Sequence, residues 1–167
     1  MNYLIRPAVK DDEPFLWEML YYAAHMEEEG ETSPRAAKKN PDLAKYVKDW
    51  GSATDVGCIA LEPGNNQPIG AAWIRLLIGD DKTSSYVNDF TPELAIAVLP
   101  AYIGRGVGMQ LLTHVLEAAK KLYSSVVLSV RATNPAKRLY ERMGFVVVGK
   151  TTNRVGTESL KMLIYLQ

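Results

Sequence analysis

Three glycines at alternate positions, between a strand pattern and an amphipathic helix pattern, constrain this chain more than any other feature of its sequence. They are Gly104, Gly106 and Gly108 in the segment LPAYIGRGVGMQLL. Glycine adopts backbone conformations that other residues avoid, and it lets a ligand approach the main chain closely. The first N–H groups of the following helix have no partner within the helix, and they lie at the positive end of its dipole. The segment therefore predicts a site for a ligand phosphate.

The spacing of these glycines excludes the dinucleotide fingerprint G-x-G-x-x-G, because positions 109 and 111 hold Met109 and Leu111. A formal Walker A pattern, GFVVVGKT, occurs at Gly144 to Thr151. Its interior is an apolar run typical of a strand, and no helix pattern follows it, so we interpret it as a strand. The glycine loop therefore indicates a phosphate ligand outside both of these motif classes.

Length and charge limit the classes of protein to which the chain can belong. At 167 residues it suits one domain, residues 1–167, which on folding buries about 70% of the surface of the unfolded chain. Lys and Arg total 19, as do Asp and Glu, so the formal net charge is zero. This balance predicts neither nucleic-acid binding nor attachment to a membrane surface. The segment MNYLIRPAVKDD contains neither a signal-peptide core nor a membrane span, so we expect a cytoplasmic protein.

Metal and disulfide chemistry have little support in the sequence. Cys58 is the only cysteine and lies in the apolar run VGCIAL, which predicts a buried strand residue. His25 and His114 are far apart in the sequence, and each is interpreted as a surface or boundary residue. We therefore predict no metal site.

Alternation and helical periodicity predict an α+β fold with a three-layer, α/β/α-like arrangement. Strands are predicted at Tyr3–Ala8, Asp55–Leu61, Pro68–Ile78, Thr91–Leu99, Val126–Val130, Phe145–Thr151 and Leu160–Leu166. Helices are predicted after a cap at Asp11 or Asp12, at Pro41–Trp50, at Gly106–Leu122 with Leu122 on its apolar face, and from Asn134-Pro135 to Gly144. The order predicts a mixed, mostly antiparallel sheet of about seven strands, with a central βαβ unit that contains the glycine loop.

Two segments of the chain, ELAIAVLPAYIGRGVGMQLL and NPAKRLYERMGF, resemble the signature segments of the GNAT superfamily of acetyl-CoA-dependent N-acyltransferases. The resemblance is close from Glu93 to Phe145. It implies a GNAT-type sheet flanked by helices, in which the fourth and fifth strands splay to admit acetyl-CoA. It also implies an N-acetyltransferase that moves an acetyl group directly to a primary amine in a ternary complex.

The resemblance implies that backbone groups hold most of the cofactor. The N–H groups that would bind its pyrophosphate belong to Ile103, Gly104, Arg105, Gly106, Val107, Gly108 and Met109. The backbone of Ala97, Val98 and Leu99 would pair with the pantetheine arm as an added strand does. The family commonly has arginine or glutamine where Ile103 stands, so a side-chain contribution is lost there, and Arg105 is a candidate substitute.

The second segment implies a proton donor. The family places a tyrosine where Tyr140 lies, near the cofactor sulfur, and Asn134 matches a position that contacts the pantetheine arm. The spacing of Tyr140 with Ala136, Leu139 and Met143 also fits simple core packing, and Asn134 also fits a helix cap. Basic groups that could reach the cofactor's ribose phosphate or adenine, or stay solvated at the surface, are Arg131, Lys137 and Arg138.

Glu93 is the candidate general base. It shares a strand face with Ala95 and Ala97, opposite Leu94 and Ile96, and the two small alanines leave room for a ligand. By resemblance, a glutamate on this strand deprotonates the acceptor ammonium, directly or through water. The alternative is a glutamate exposed to solvent at the end of a strand.

The acceptor is not specified by any motif. An acidic run beside Tyr21, Tyr22 and His25 could attract a cationic amine or form a solvated loop; its members are Glu27, Glu28, Glu29 and Glu31. A protein N-terminus or a lysine is an alternative acceptor, and a non-catalytic acyl-CoA-binding module is an alternative function. A monomer and a homodimer fit the sequence equally well.

Overall fold

A computed structural model of the chain describes residues 3–26, 30–31, 33 and 35–167. Apolar and alternating segments form seven strands: β1 (Leu4–Pro7), β2 (Val56–Leu61), β3 (Pro68–Arg75), β4 (Glu93–Val98), β5 (Ser125–Arg131), β6 (Val146–Thr152) and β7 (Glu158–Tyr165). They lie in one sheet, in the order β1-β2-β3-β4-β5-β7-β6. All neighbouring strands are antiparallel except β4 and β5, which are parallel. The predicted mixed, mostly antiparallel sheet is therefore confirmed.

Helices cover both faces of this sheet. They are α1 (Glu13–Ala23), α2 (Arg35–Lys39), α3 (Pro41–Ala44), α4 (Val107–Ala119) and α5 (Lys137–Met143). The helix α4 is the crossover that a parallel pair of strands requires, which confirms the central βαβ unit. It packs on β2 and β3, whereas α1 packs on β3 and β4 from the other side. Two apolar layers thus enclose the sheet, as the three-layer prediction expects.

The long helix is shorter than its pattern predicts. It begins at Val107 and ends at Ala119, and Leu112, Val115 and Ala119 are fully buried on the expected face. Leu122 lies beyond the last helical turn and is 55% exposed, so its predicted place on the buried face is wrong. The chain leaves the helix at Lys120 and turns towards β5, which takes Leu122 away from the sheet.

The helices α1 and α5 begin differently from their predicted starts. Asp12 occupies the cap position of α1, but its carboxylate binds the Arg6 guanidinium and the Val9 N–H instead of a helix N–H. The helix α5 begins at Lys137, although the side chain of Asn134 does accept a hydrogen bond from the Ala136 N–H, at 2.9 Å. It ends at Gly144, as predicted, with a φ of 108° that favours glycine.

The helix predicted at Pro41–Trp50 ends at Ala44, because side chains of β3 bind the next carbonyl groups. Arg75 donates to the carbonyl of Lys45, and the Trp73 indole donates to the carbonyl of Tyr46 at 2.9 Å. These donors replace the N–H groups that would continue a helix. The segment after α3 is thus held against the sheet as a series of turns.

Candidate functional site

The strands β4 and β5 separate soon after they meet. Glu93 and Val127 are their only paired residues in the described chain, and the Val127 N–H donates to the carbonyl of Pro92 at 3.0 Å. Beyond this point the strands enclose a cavity of about 600 Å³, whose wall includes Glu93, Gly104 and Tyr140. The separation leaves one edge of β4 without a strand partner, which is the kind of edge to which an extended ligand adds.

Of Ala97, Val98 and Leu99, the residues predicted to pair with the pantetheine arm, Val98 alone presents its N–H to this gap. The Leu99 N–H donates to the carbonyl of Ile69 at 2.8 Å, and the Leu99 carbonyl accepts from the Tyr102 N–H at 2.9 Å. Because N–H directions alternate along a strand, Ala97 also faces β3, and Val98 faces the gap. The strand-like pairing predicted for Ala97 to Leu99 is therefore open to a ligand at Val98 and already used at Leu99.

The glycine loop forms a row of unpaired donors before α4. No backbone N–H from Gly104 to Met109 is hydrogen-bonded within the described chain. Gly104 and Gly106 have φ angles of 83° and 82°, which a side chain would strain. The row lies at the N-terminus of a 13-residue helix, so the helix dipole adds to its attraction for an anion.

The other loop residues differ in what they offer a ligand. The Ile103 N–H is already used by the carbonyl of Pro100, at 3.4 Å, and its side chain is 68% exposed. The Arg105 guanidinium lies 5.3 Å from the centre of the Tyr102 ring. Gly108 has a separate reason to be glycine, since a Cβ atom there would lie 3.3 Å from the Leu139 side chain of α5.

Glu93 is buried, so the solvent-exposed alternative is wrong. It shares its face with Ala95 and Ala97, as predicted, and only 6% of its surface is accessible. Its Oε1 accepts a hydrogen bond from the Thr83 hydroxyl at 2.6 Å, and its Oε2 accepts one from the Tyr46 hydroxyl. Burial raises the pKa of Glu93, whereas these two hydrogen bonds and the charges of Lys45 and Lys161 act to lower it.

Tyr140 is both a core residue and part of the cavity wall. Its ring packs edge to face on Phe145, with ring centres 6.0 Å apart, and it belongs to the apolar layer beneath α4. Its hydroxyl makes no hydrogen bond to the described part of the chain. Burial raises its pKa to about 12, so the phenol is protonated at any physiological pH.

The remaining predicted residues divide between the cavity and its surroundings. Asn134 and Arg131 line the cavity; the Asn134 amide nitrogen lies 3.4 Å from His25 Nε2, and Arg131 donates to the carbonyl of Ala24 at 3.4 Å. Lys137 is half-buried and Arg138 is exposed, and neither is part of the cavity wall.

The acidic run mostly lies outside the described residues. Glu27, Glu28 and Glu29 are among the residues that the structure does not describe, and Glu31 is exposed. The carbonyl of Glu31 accepts a hydrogen bond from the Tyr21 hydroxyl. His25, beside this run, does reach the cavity wall.

Sequence reasoning missed Tyr46 and Thr83, the two hydrogen-bond partners of Glu93. Tyr46 falls inside the segment predicted as a helix, and Thr83 falls in a polar loop with no motif. Tyr46 is 47 residues from Glu93 in sequence. No local periodicity could reveal that contact, because it depends on how distant segments meet.

Within the described residues, no three His, Cys, Asp or Glu side chains group as a metal site would need. No helix in that part of the chain combines the length and the apolar character needed to cross a membrane.

A family model described as the acetyltransferase (GNAT) domain matches residues 52–147, which is more than half of the chain. No curated protein sequence matches the chain.

Several solved structures share the fold at low sequence identity. The protein yncA from Salmonella typhimurium, solved with its cofactor acetyl-CoA, is 22% identical, with 100% of this chain and 95% of that chain covered and a TM-score of 0.70. A ribosomal-protein-alanine N-acetyltransferase from Brucella melitensis is 21% identical, covering 98% and 99%, with a TM-score of 0.70. A spermidine N-acetyltransferase chimera of Vibrio cholerae and hSSAT sequences is 19% identical, covering 99% and 96%, with a TM-score of 0.69.

Proposed function

This chain belongs to the GNAT family of acetyltransferases, and on that premise we propose that it transfers an acetyl group from acetyl-CoA to a primary amine. One observation carries the proposal. Gly104, the first residue of the row of unpaired N–H groups, lies in the wall of the cavity, and the same wall contains Glu93 and Tyr140. An anion site, a buried carboxylate and a buried phenol are the groups that transfer from a phosphate-bearing thioester to an amine requires.

The residues present fit acetyl-CoA. The N–H groups from Gly104 to Met109 would hold its pyrophosphate, and the free edge of β4 at Val98 would pair with its pantetheine amides. The Asn134 amide would contact the same arm, and Lys137 is proposed to reach a cofactor phosphate. When bound, acetyl-CoA supplies the thioester carbonyl that an amine attacks and accepts the leaving electrons on sulfur.

Glu93 is proposed to remove the proton that prevents the amine from attacking. An ammonium group of pKa about 10 is almost fully protonated at neutral pH. A carboxylate whose pKa is raised by burial is a stronger base than an exposed one, so Glu93 Oε1 or Oε2 can accept that proton, directly or through one water molecule. The Tyr46 and Thr83 bonds use one lone pair on each oxygen and leave others open.

Tyr140 is proposed to protonate the departing thiolate from its hydroxyl. In water this transfer is uphill, because a phenol has a pKa of about 10 and a thiol one of about 8.5. Burial disfavours the charged form of either group, so it raises the pKa of a thiol as well as that of Tyr140, which is about 12. Transfer of the proton therefore requires direct contact between the Tyr140 hydroxyl and the departing sulfur, within the buried cavity.

Acetyl-CoA is expected to bind the purified protein one to one, with a dissociation constant in the micromolar range by isothermal titration calorimetry. NAD should give no heat, and dephospho-coenzyme A reports how much the ribose phosphate contributes.

Replacing Gly106 with Ala should weaken acetyl-CoA binding about tenfold. A side chain at positive φ costs about 1–2 kcal/mol, and the variant loop must overcome that strain to adopt the conformation that binds.

Gly156→Ala is the matched control for that variant. Gly156 has a φ of 84°, and a Cβ atom there also meets nothing within 4 Å, but it lies in the hairpin between β6 and β7. It should leave the affinity unchanged. Absence of acetyl-CoA binding by the unaltered protein would reject the loop as a pyrophosphate site, and equal effects of the two variants would reject its specific role.

The transfer is proposed to be direct, without an acyl-enzyme, so Cys58→Ala should retain full activity. The Cys58 thiol lies on β2 beneath α4, 3.4 Å from the carbonyl of Leu111, and burial raises its pKa to about 12. It is thus a protonated, inert thiol at neutral pH. The measurement is coenzyme A release with an amine that the unaltered protein acetylates, together with a thermal melt. A folded Cys58→Ala protein without turnover would contradict direct transfer.

The acceptor class is proposed only as a primary amine. A protein N-terminus or a lysine side chain is the alternative, and a screen of small amines beside peptides with free N-termini and lysines separates them. A non-catalytic acyl-CoA-binding module would bind acetyl-CoA and transfer nothing in that screen. A monomer or homodimer and a cytoplasmic location stay predictions from the sequence.

A further inference from the structure

We propose that Tyr46 and Thr83 are positioning residues that hold Glu93 as an ionised carboxylate in a fixed orientation. The inference rests on the proposed function, in which Glu93 is the base. The Tyr46 hydroxyl donates to Oε2 and the Thr83 hydroxyl donates to Oε1, at 2.6 Å. Both oxygens therefore accept hydrogen bonds, and such bonds are stronger to an ionised carboxylate than to a protonated carboxyl group.

Thr83 is oriented by a third group. The backbone N–H of Ser85 donates to Thr83 Oγ1 at 3.0 Å and occupies one of its two lone pairs. The Thr83 hydroxyl proton binds Glu93 Oε1, which is the stronger acceptor when the carboxyl group is ionised. This bond therefore stabilises the ionised form of Glu93 more than the protonated form, and Oε1 keeps a lone pair on which a proton can be accepted.

Tyr46 is held in place by β3. The Trp73 indole donates to the carbonyl of Tyr46, and the Arg75 guanidinium donates to the carbonyl of Lys45 at 3.1 Å. Arg75 is itself fixed by two hydrogen bonds to Asp55, at 3.0 and 2.9 Å. Because Arg75 is also the residue paired with Glu93 across β3 and β4, one strand register positions both the carboxylate and its tyrosine.

The loop that carries Thr83 is held by two lysines whose charges also act on Glu93. Lys161 on β7 donates to the carbonyl of Tyr86 at 2.9 Å, and Lys45 donates to the carbonyl of Lys82 at 3.3 Å. These bonds fasten the loop that carries Thr83. Lys45, Lys161 and Tyr46 are the titratable groups that act on Glu93, since the charge of Arg75 is paired with Asp55. Both lysine charges favour the ionised carboxylate. The two ammonium groups donate to backbone carbonyls, whereas the hydrogen bonds that reach Glu93 come from Tyr46 and Thr83, so the hydroxyl groups set its orientation.

The test is a direct titration of Glu93, which requires no substrate. The protein is labelled with ¹³C at the glutamate side-chain carboxyl, and the Glu93 signal is identified by its loss in Glu93→Gln. The Glu93 pKa should rise by about one to two pH units in Tyr46→Phe, because each hydrogen bond to a charged group contributes at that level. Thr83→Val should raise it similarly, and Thr83→Ser, which keeps the hydroxyl, should restore the original value.

Tyr86→Phe is the matched control, since its hydroxyl lies on the same loop but binds Asp89. It should leave the Glu93 pKa unchanged. An unchanged pKa in Tyr46→Phe and Thr83→Val would overturn the inference while leaving the proposed reaction intact. Full acetyl transfer by Glu93→Gln would instead reject the base role itself. If Tyr46→Phe does not fold, the comparison of Thr83→Val with Thr83→Ser decides alone.

Discussion

Tyr140→Phe is expected to lower the rate of acetyl transfer by about 10²–10⁴-fold, the usual contribution of a general acid, while acetyl-CoA affinity stays unchanged. The phenol hydroxyl would protonate the leaving sulfur, and its loss leaves a thiolate as the leaving group in a buried site. Affinity should hold because the hydroxyl makes no hydrogen bond to the described chain and the ring still packs on Phe145.

The measurement pairs coenzyme A release, with an amine accepted by the unaltered protein, with calorimetry of acetyl-CoA binding. Tyr165→Phe is the control, because Tyr165 is 72% exposed at the end of β7 and lies outside the cavity wall. It should behave as the unaltered protein does. If Tyr140→Phe keeps the full rate, Tyr140 is a core residue only. If neither protein transfers acetyl groups to any amine, the binding-module alternative is favoured.

Glu93→Gln is expected to lower acetyl transfer at neutral pH by about 10²–10⁴-fold, because it removes the general base but keeps the shape of the side chain. The pH dependence should change with it. In the unaltered protein, activity falls as pH drops through the Glu93 pKa, which burial has raised above its usual value. Protonated Glu93 cannot accept the ammonium proton, so activity is lost on the acid side of the Glu93 pKa.

The transfer rate of Glu93→Gln should instead depend on the fraction of the amine that is already neutral in solution. Its rate should rise about tenfold per pH unit towards the amine pKa of about 10, so the deficit shrinks as pH increases. The two pH profiles of kcat/KM provide the measurement. Glu117→Gln is the control, since Glu117 lies on the exposed face of α4 and pairs with Lys120. Superimposable profiles for Glu93→Gln and the unaltered protein would remove Glu93 from the reaction.

Much of the framework was predictable because its causes are local. The positive φ angles of Gly104 and Gly106 and the free N–H groups before α4 follow from residue type and helix geometry. The shared face of Glu93, Ala95 and Ala97 follows from strand alternation. The role proposed for Tyr140 rests on the family resemblance, since its helical spacing alone indicates core packing.

The parts that were not predictable depend on contacts between distant segments. Tyr46 and Thr83 carry no pattern that links them to Glu93, and a strand register brings them together. The early end of α3 results from Arg75 and Trp73 binding its next carbonyl groups. Both outcomes are tertiary overrides of local preference, which a window of neighbouring residues does not contain.

By itself, the sequence determined the glycine loop with its free N–H groups before α4, the order of strands and helices along the chain and most of the faces that they bury. Those features depend on residue type and periodicity along a short stretch of chain. Only the tertiary structure decided that Glu93 is buried between two hydroxyl donors and that Leu99 is already paired, which leaves Val98 open to the gap. Burial and hydrogen-bond partners are properties of how segments meet, and they decide which groups in the cavity can act on a ligand.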